Sequence, residues 1–180
     1  MKVLNLFLVS LSLLSSCRSG SNKQDPQELN YYDIKGFFEK EIKKLEKANP
    51  TVNKTTIYNK EEEIRSLQIE KWEQELALFS ESDINKSSWK GSYKVDSLPN
   101  KLIYNAKEED LRTRKIIIDF KGNTPSRFSI QNKTSNYLYT SIEDLIFYPD
   151  SLYIIHKRQN VVLLGTNDYK IVGKLKVKKL

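Results

Sequence analysis

Ile171-Val172-Gly173-Lys174-Leu175-Lys176-Val177-Lys178 alternates with a period of two. Ile171, Gly173, Leu175 and Val177 fall on one side; Val172, Lys174, Lys176 and Lys178 fall on the other. A strand places every second side chain on one face, so this stretch reads as a strand with an apolar side and a basic side. The same period holds back to Ser88. Ile116, Ile118 and Phe120 alternate with Lys115, Ile117 and Asp119, and Phe128 and Ile130 with Arg127, Ser129 and Gln131.

Candidate strands are therefore Trp89–Val95, Lys101–Ala106, Thr113–Lys121, Arg127–Asn132, Tyr137–Thr140, Leu145–Tyr148, Leu152–Lys157, Val161–Gly165 and Tyr169–Lys178. Turn signals separate them at Leu98-Pro99-Asn100, Lys121-Gly122-Asn123, Tyr148-Pro149-Asp150, Arg158-Gln159-Asn160 and Thr166-Asn167-Asp168. Short strands with short turns predict an antiparallel meander. In Trp89-Lys90-Gly91-Ser92-Tyr93, Trp89 reads as core packing and Gly91 as a strand bend.

Upstream the period becomes helical. Ile34, Phe37, Phe38, Ile42 and Leu45 line one face of a helix that Asp33 can cap and Asn49-Pro50 ends. Thr51 to Tyr58 and Ile64 to Leu67 read as a hairpin about Asn59-Lys60, with Glu61, Glu62 and Glu63 as solvated charge. Ile69, Trp72, Leu76 and Phe79 share one face of a second helix, Ile69 to about Ser80. The predicted class is α+β: two N-terminal amphipathic helices packed on an antiparallel, curved meander sheet, either a half-barrel or a small closed barrel.

The first seventeen residues carry an address. Lys2, an apolar run from Val3 to Leu14, and small Ser15 and Ser16 make a secretory signal too short to span a bilayer. Leu14-Ser15-Ser16-Cys17 resembles the lipobox of bacterial lipoproteins. The resemblance implies cleavage before Cys17, the sole cysteine, and its lipidation. The expected divisions are a signal over 1–16, a lipidated cysteine and polar tether over 17–30, and one domain over 31–180. Arg18 stands where an Asp would hold an enterobacterial lipoprotein at the inner membrane, so the resemblance implies the outer membrane. Asp96-Ser97-Leu98 and Asp150-Ser151-Leu152 resemble the short O-glycosylation motif of exported Bacteroidota proteins, which marks Ser97 and Ser151.

The formal charge of the 180-residue chain is +7, about +6 once Lys2 is lost with the signal; such an excess suits an anionic lipid surface, and solubility alone is the simpler reading of it. Lys and Glu are mixed along the chain with no aromatic-interleaved basic patch, which argues against nucleic acid. No disulfide forms from a lipidated single cysteine. The one histidine, His156, shares a strand face with Leu152 and Ile154 and reads as an interface or core-edge residue. No phosphate loop, dinucleotide fingerprint or zinc pattern is present. The acidic groups Glu108-Glu109-Asp110 and Glu143-Asp144 read as solvated turns.

Trp72 to Phe79, Asp83-Ile84-Asn85-Lys86, Trp89 to Tyr93 and Asn136 to Ser141 together resemble a group of uncharacterised Bacteroidota envelope lipoproteins. That resemblance implies an envelope address and no activity. The expected role is a non-enzymatic binding or assembly module without cofactor or metal. Its partners are the membrane, through the N-terminal lipid, and an envelope protein reached by exposed-strand aromatics such as Tyr137, Tyr139, Tyr148 and Tyr153. The alternative is a carrier of a lipid or other apolar ligand in a half-barrel cavity.

Overall fold

The computed structural model describes residues 29–176; the signal, Cys17, Val177 and Lys178 lie outside them. Helix α1 (Ile34–Ala48) is followed by strands β1 (Thr51–Tyr58) and β2 (Glu61–Gln68). Two single-turn helices, α2 (Trp72–Glu75) and α3 (Ala77–Ser80), lead to the remaining strands. These are β3 (Tyr93–Leu98), β4 (Lys101–Ala106), β5 (Thr113–Lys121), β6 (Thr124–Ser135), β7 (Tyr139–Tyr148), β8 (Leu152–Val161) and β9 (Gly165–Leu175).

The nine strands of the described residues join one antiparallel sheet in the order β2-β1-β9-β8-β7-β6-β5-β4-β3. From β3 to β9 it is an antiparallel meander, as expected, and the first hairpin adds to β9 through β1. β2 and β3 are the two edges, so the sheet is open and the closed-barrel option falls.

The protein is mostly sheet, and only one of the two expected helices is continuous. Asp33 accepts the Gly36 N–H at 2.8 Å and so satisfies a donor that the first turn leaves free. Asp33→Ala should cost about 1 kcal/mol of stability, read as a lower urea midpoint at unchanged slope. Asn49, left-handed at φ 40, closes the other end. The second helix is broken at Leu76, whose φ −102 and ψ 10 leave the helical region. The break still keeps Trp72, Leu76 and Phe79 buried, as the sequence spacing requires.

Those side chains and α1 fill one face of the sheet. Phe38 stacks on Phe79 with centroids 5.1 Å apart and meets Phe147 edge-on at 5.0 Å. Phe37 lies 4.4 Å from Phe128. Phe38, Phe79, Phe128 and Phe147 are fully buried, so aromatic rings fill the space between the helices and the sheet. Tyr153, expected on the surface, is also fully buried. Its hydroxyl donates to Glu75 at 2.6 Å, and Glu75 also holds Lys54 at 2.7 Å. Burial first, then this carboxylate, holds the Tyr153 phenol well above its ordinary pKa.

Among the described residues no element covers the other face. Ile103, Ile117, Ile146, Ile154 and Val172 lie in one register row across it, half-buried by their neighbours. Ion pairs flank the row, such as Arg127 with Asp119 at 2.6 Å.

Four sequence expectations change here. Tyr137–Thr140 and Leu145–Tyr148 are not separate strands: β7 runs unbroken from Tyr139 to Tyr148. Val161–Gly165 is not a strand, because Val162, Leu163 and Leu164 form the β8–β9 turn. The expected turns at 158–160 and 166–168 are strand, since they pair with each other as Arg158↔Asp168, Gln159↔Asn167 and Asn160↔Thr166. Ser87–Trp89 is a 3-10 turn and Gly91 has φ +80, so β3 starts only at Tyr93.

Candidate functional site

β6 through β9 outrun their neighbours at one end of the sheet. Pairing of β6 with β5 stops at Thr113↔Asn132, and pairing of β9 with β1 stops at Tyr58↔Tyr169. The two central hairpins continue as a tab. At about 3.4 Å per residue, its turns stand roughly 13–17 Å past the last neighbouring pairs.

Two adjacent turns form the tip. In the β6–β7 turn, the Asn136 side-chain oxygen accepts the Leu138 and Tyr139 N–H groups, both at 2.9 Å. In the β8–β9 turn, Leu164 N–H donates to the Val161 carbonyl at 3.2 Å. Val162 N–H donates to the Leu138 carbonyl at 2.9 Å, which ties the two turns together. The result is one apolar surface: Tyr137 100 % exposed, Leu138 70 %, Val162 60 %, Leu163 100 % and Leu164 81 %. Such clustering is not the scatter of single apolar residues normal on a protein surface.

The tip is also uncharged. Residues 134–141 and 159–167 contain no Asp, Glu, Lys or Arg, although the chain is 29 % charged and seventeen positions would on average hold about five. The first charged row below is Lys133, Arg158 and Asp168, in register through Ile142. Leu163 has φ 71, a left-handed conformation that costs a leucine roughly 1–2 kcal/mol. A bulky side chain is thus held in strained backbone and fully in water, two unfavourable terms that fold stability does not explain.

The root of the tab is polar and buried. Glu143 stands mid-strand on the covered face. It accepts Arg112 Nη2 at 2.7 Å, Lys157 Nζ at 3.2 Å and Asn132 Nδ2 at 3.2 Å. Asn132 Nδ2 also donates to Ser82 Oγ at 2.9 Å, and Arg112 Nη1 to the Glu81 carbonyl at 3.1 Å. This overturns the solvated-turn reading of Glu143-Asp144. Asp144, on the open face, pairs with Arg158 at 2.9 Å. Glu108, Glu109 and Asp110 do form an exposed turn.

His156 lies half-buried on the uncovered face with Leu152 and Ile154, as read from the alternation. Its Nε2 is 2.8 Å from Asp168 Oδ1. The depression of about 420 Å³ around the pair is lined also by Ile57, Asn59, Lys60 and Lys170, so no hydroxyl or thiol faces the histidine there. Among the described residues, no three His, Cys, Asp or Glu side chains converge as a metal site would need. Ser151 is exposed in the β7–β8 turn, and Ser97 is exposed near the end of edge strand β3.

A groove of about 560 Å³ opens where α1 ends against the sheet. Leu45, Ala48, Pro50 and Leu175 line it, with Lys44 and Lys176. Among the described residues no helix is long and apolar enough to cross a membrane. Comparison with models of protein families, with curated proteins and with solved structures found no match.

The tip escaped the sequence reading because Val161-Val162-Leu163-Leu164 has the composition of a buried strand. The absence of charge over 134–141 and 159–167 was the signal available to find it.

Proposed function

We propose that this chain is a lipid-anchored protein of the cell envelope, held at the outer membrane through Cys17. Its domain, residues 31–180, is a non-enzymatic binding or assembly module that works through the tip of the tab. Its fold is read as an α+β half-barrel in which α1 and the α2–α3 pair cover one face. The observation that carries the reading is the strained, uncharged, apolar tip. Exposed apolar surface concentrated at one projecting point is a contact site, since burying it on a partner recovers free energy that water denies it.

A photoreactive diazirine residue at position 163 of the full chain, in the native envelope, tests this. It should form an adduct with lipid or protein that the same residue at Leu98, on the opposite end of the sheet, does not form. No adduct above the Leu98 level would end the reading. The pair Leu163→Asp and Leu164→Asp should change stability by no more than about 0.5 kcal/mol, because both sites are exposed and aspartate tolerates a positive φ better than leucine. The same pair should displace the partner.

The alternative carrier reading draws on the groove at the end of α1, whose volume falls in the range of small-molecule sites. A lipid-sized mass retained through native mass spectrometry, and lost on Leu175→Trp, would favour it.

A further inference from the structure

We infer that the partner of the tip is the bilayer itself: Tyr137, Leu138, Val162, Leu163 and Leu164 insert into the interfacial region of an anionic phospholipid membrane. The inference rests on the contact-site reading of the tip and names its occupant.

The chemistry is graded along the tab as a membrane interface requires. Four of the five exposed tip side chains are aliphatic. Tyr137 and Tyr139 flank them, and tyrosine is the amphipathic ring that settles at head-group level. The uncharged turns keep every ion out of the hydrocarbon, where a charge is costly. The first charged row, Lys133, Arg158 and Asp168, carries one net positive charge, and the chain from Cys17 onward carries about +6, the full chain's +7 less Lys2. Both signs suit anionic head groups.

The path of the chain agrees. Tyr31 sits beside the start of β3, where its hydroxyl accepts the Gly91 N–H at 3.0 Å and its ring meets Tyr93 at 5.5 Å. That is the end of the sheet from which the tab projects, since Tyr93 pairs with Ala106 just before the β4–β5 loop. Twelve residue steps separate Cys17 from Leu29, so an extended chain reaches at most about 40 Å. A lipid on Cys17 can therefore lie in the same surface as the tip, and two attachments to one membrane act as one firmer attachment.

The test uses the full chain reconstituted in phosphatidylethanolamine–phosphatidylglycerol vesicles, with Leu163→Trp compared with Leu98→Trp and the unsubstituted chain subtracted. The added Leu163→Trp emission should shift to the blue. Brominated acyl chains should quench it at least twofold, while Leu98→Trp stays unquenched. If the protein floats with the vesicles but the two tryptophans are quenched equally little, insertion is overturned and the lipid anchor stands. If the protein neither floats nor is quenched, insertion and anchoring both fall. A position-163 diazirine adduct to protein alone would keep the contact site and overturn the bilayer as its occupant.

Discussion

Glu143→Ala should lower the unfolding free energy by about 3 kcal/mol, the lower end of the cost of removing one partner from a buried ion pair. The carboxylate is almost fully buried, and three donors point at it: Arg112, Lys157 and Asn132. Removing it leaves two cations facing each other at the root of the tab with no acceptor between them. The figure sits at the low end because Arg112 and Lys157 keep about a third of their side-chain surface in water. Asp144→Ala, one residue further along β7, should cost less than about 1 kcal/mol, since its pair with Arg158 is exposed. Urea unfolding of the two variants checks the contrast. Equal small losses would mean that the Glu143 cluster contributes no more than a surface pair.

Gly173→Ala should cost about 3 kcal/mol, at the upper end of overpacking. A Cβ at position 173 would lie 2.1 Å from Tyr153 Cζ and 2.4 Å from its hydroxyl oxygen. Tyr153 is paired directly across from Gly173, so its ring lies over the bare backbone. The ring cannot swing aside easily. Its hydroxyl is held by Glu75, and Trp72 meets it edge-on at 6.1 Å. Tyr153→Leu should remove much of the clash, so the double variant should be more stable than the sum of the single losses by at least about 1 kcal/mol. A Gly173→Ala protein as stable as the parent would show that this packing is loose.

Much of the architecture can be read from local pattern. The α1 stripe of Ile34, Phe38, Ile42 and Leu45 is buried as its spacing requires, and the bounds of β4 and β5 follow from the alternation. β9 keeps the predicted alternation over its described part, with Ile171 and Gly173 buried. Local pattern failed where a residue's environment is set by strands distant in sequence. Ser141 to Asp144 resembles a turn because it is polar, yet β6 and β8 flank it and make it strand interior. Nothing near Glu143 in sequence announces Arg112, which is 31 residues away.

The sequence by itself determined the antiparallel meander, the capped first helix, the alternation of covered and uncovered faces, and the turns at Pro99-Asn100, Gly122-Asn123 and Pro149-Asp150. These depend on neighbours two to four positions apart, where side-chain period and backbone preference act directly. Only the tertiary structure decided that the sheet stays open, that Tyr153 lies over Gly173, and that Glu143 is buried with its cations. It alone set the Leu138 turn against the Val162–Leu164 turn as one exposed apolar tip. The physical reason is register. Once strands pair, a residue's face, depth and partners are fixed by the chain beside it, and an apolar run that would fill a core instead stands at the end of a hairpin.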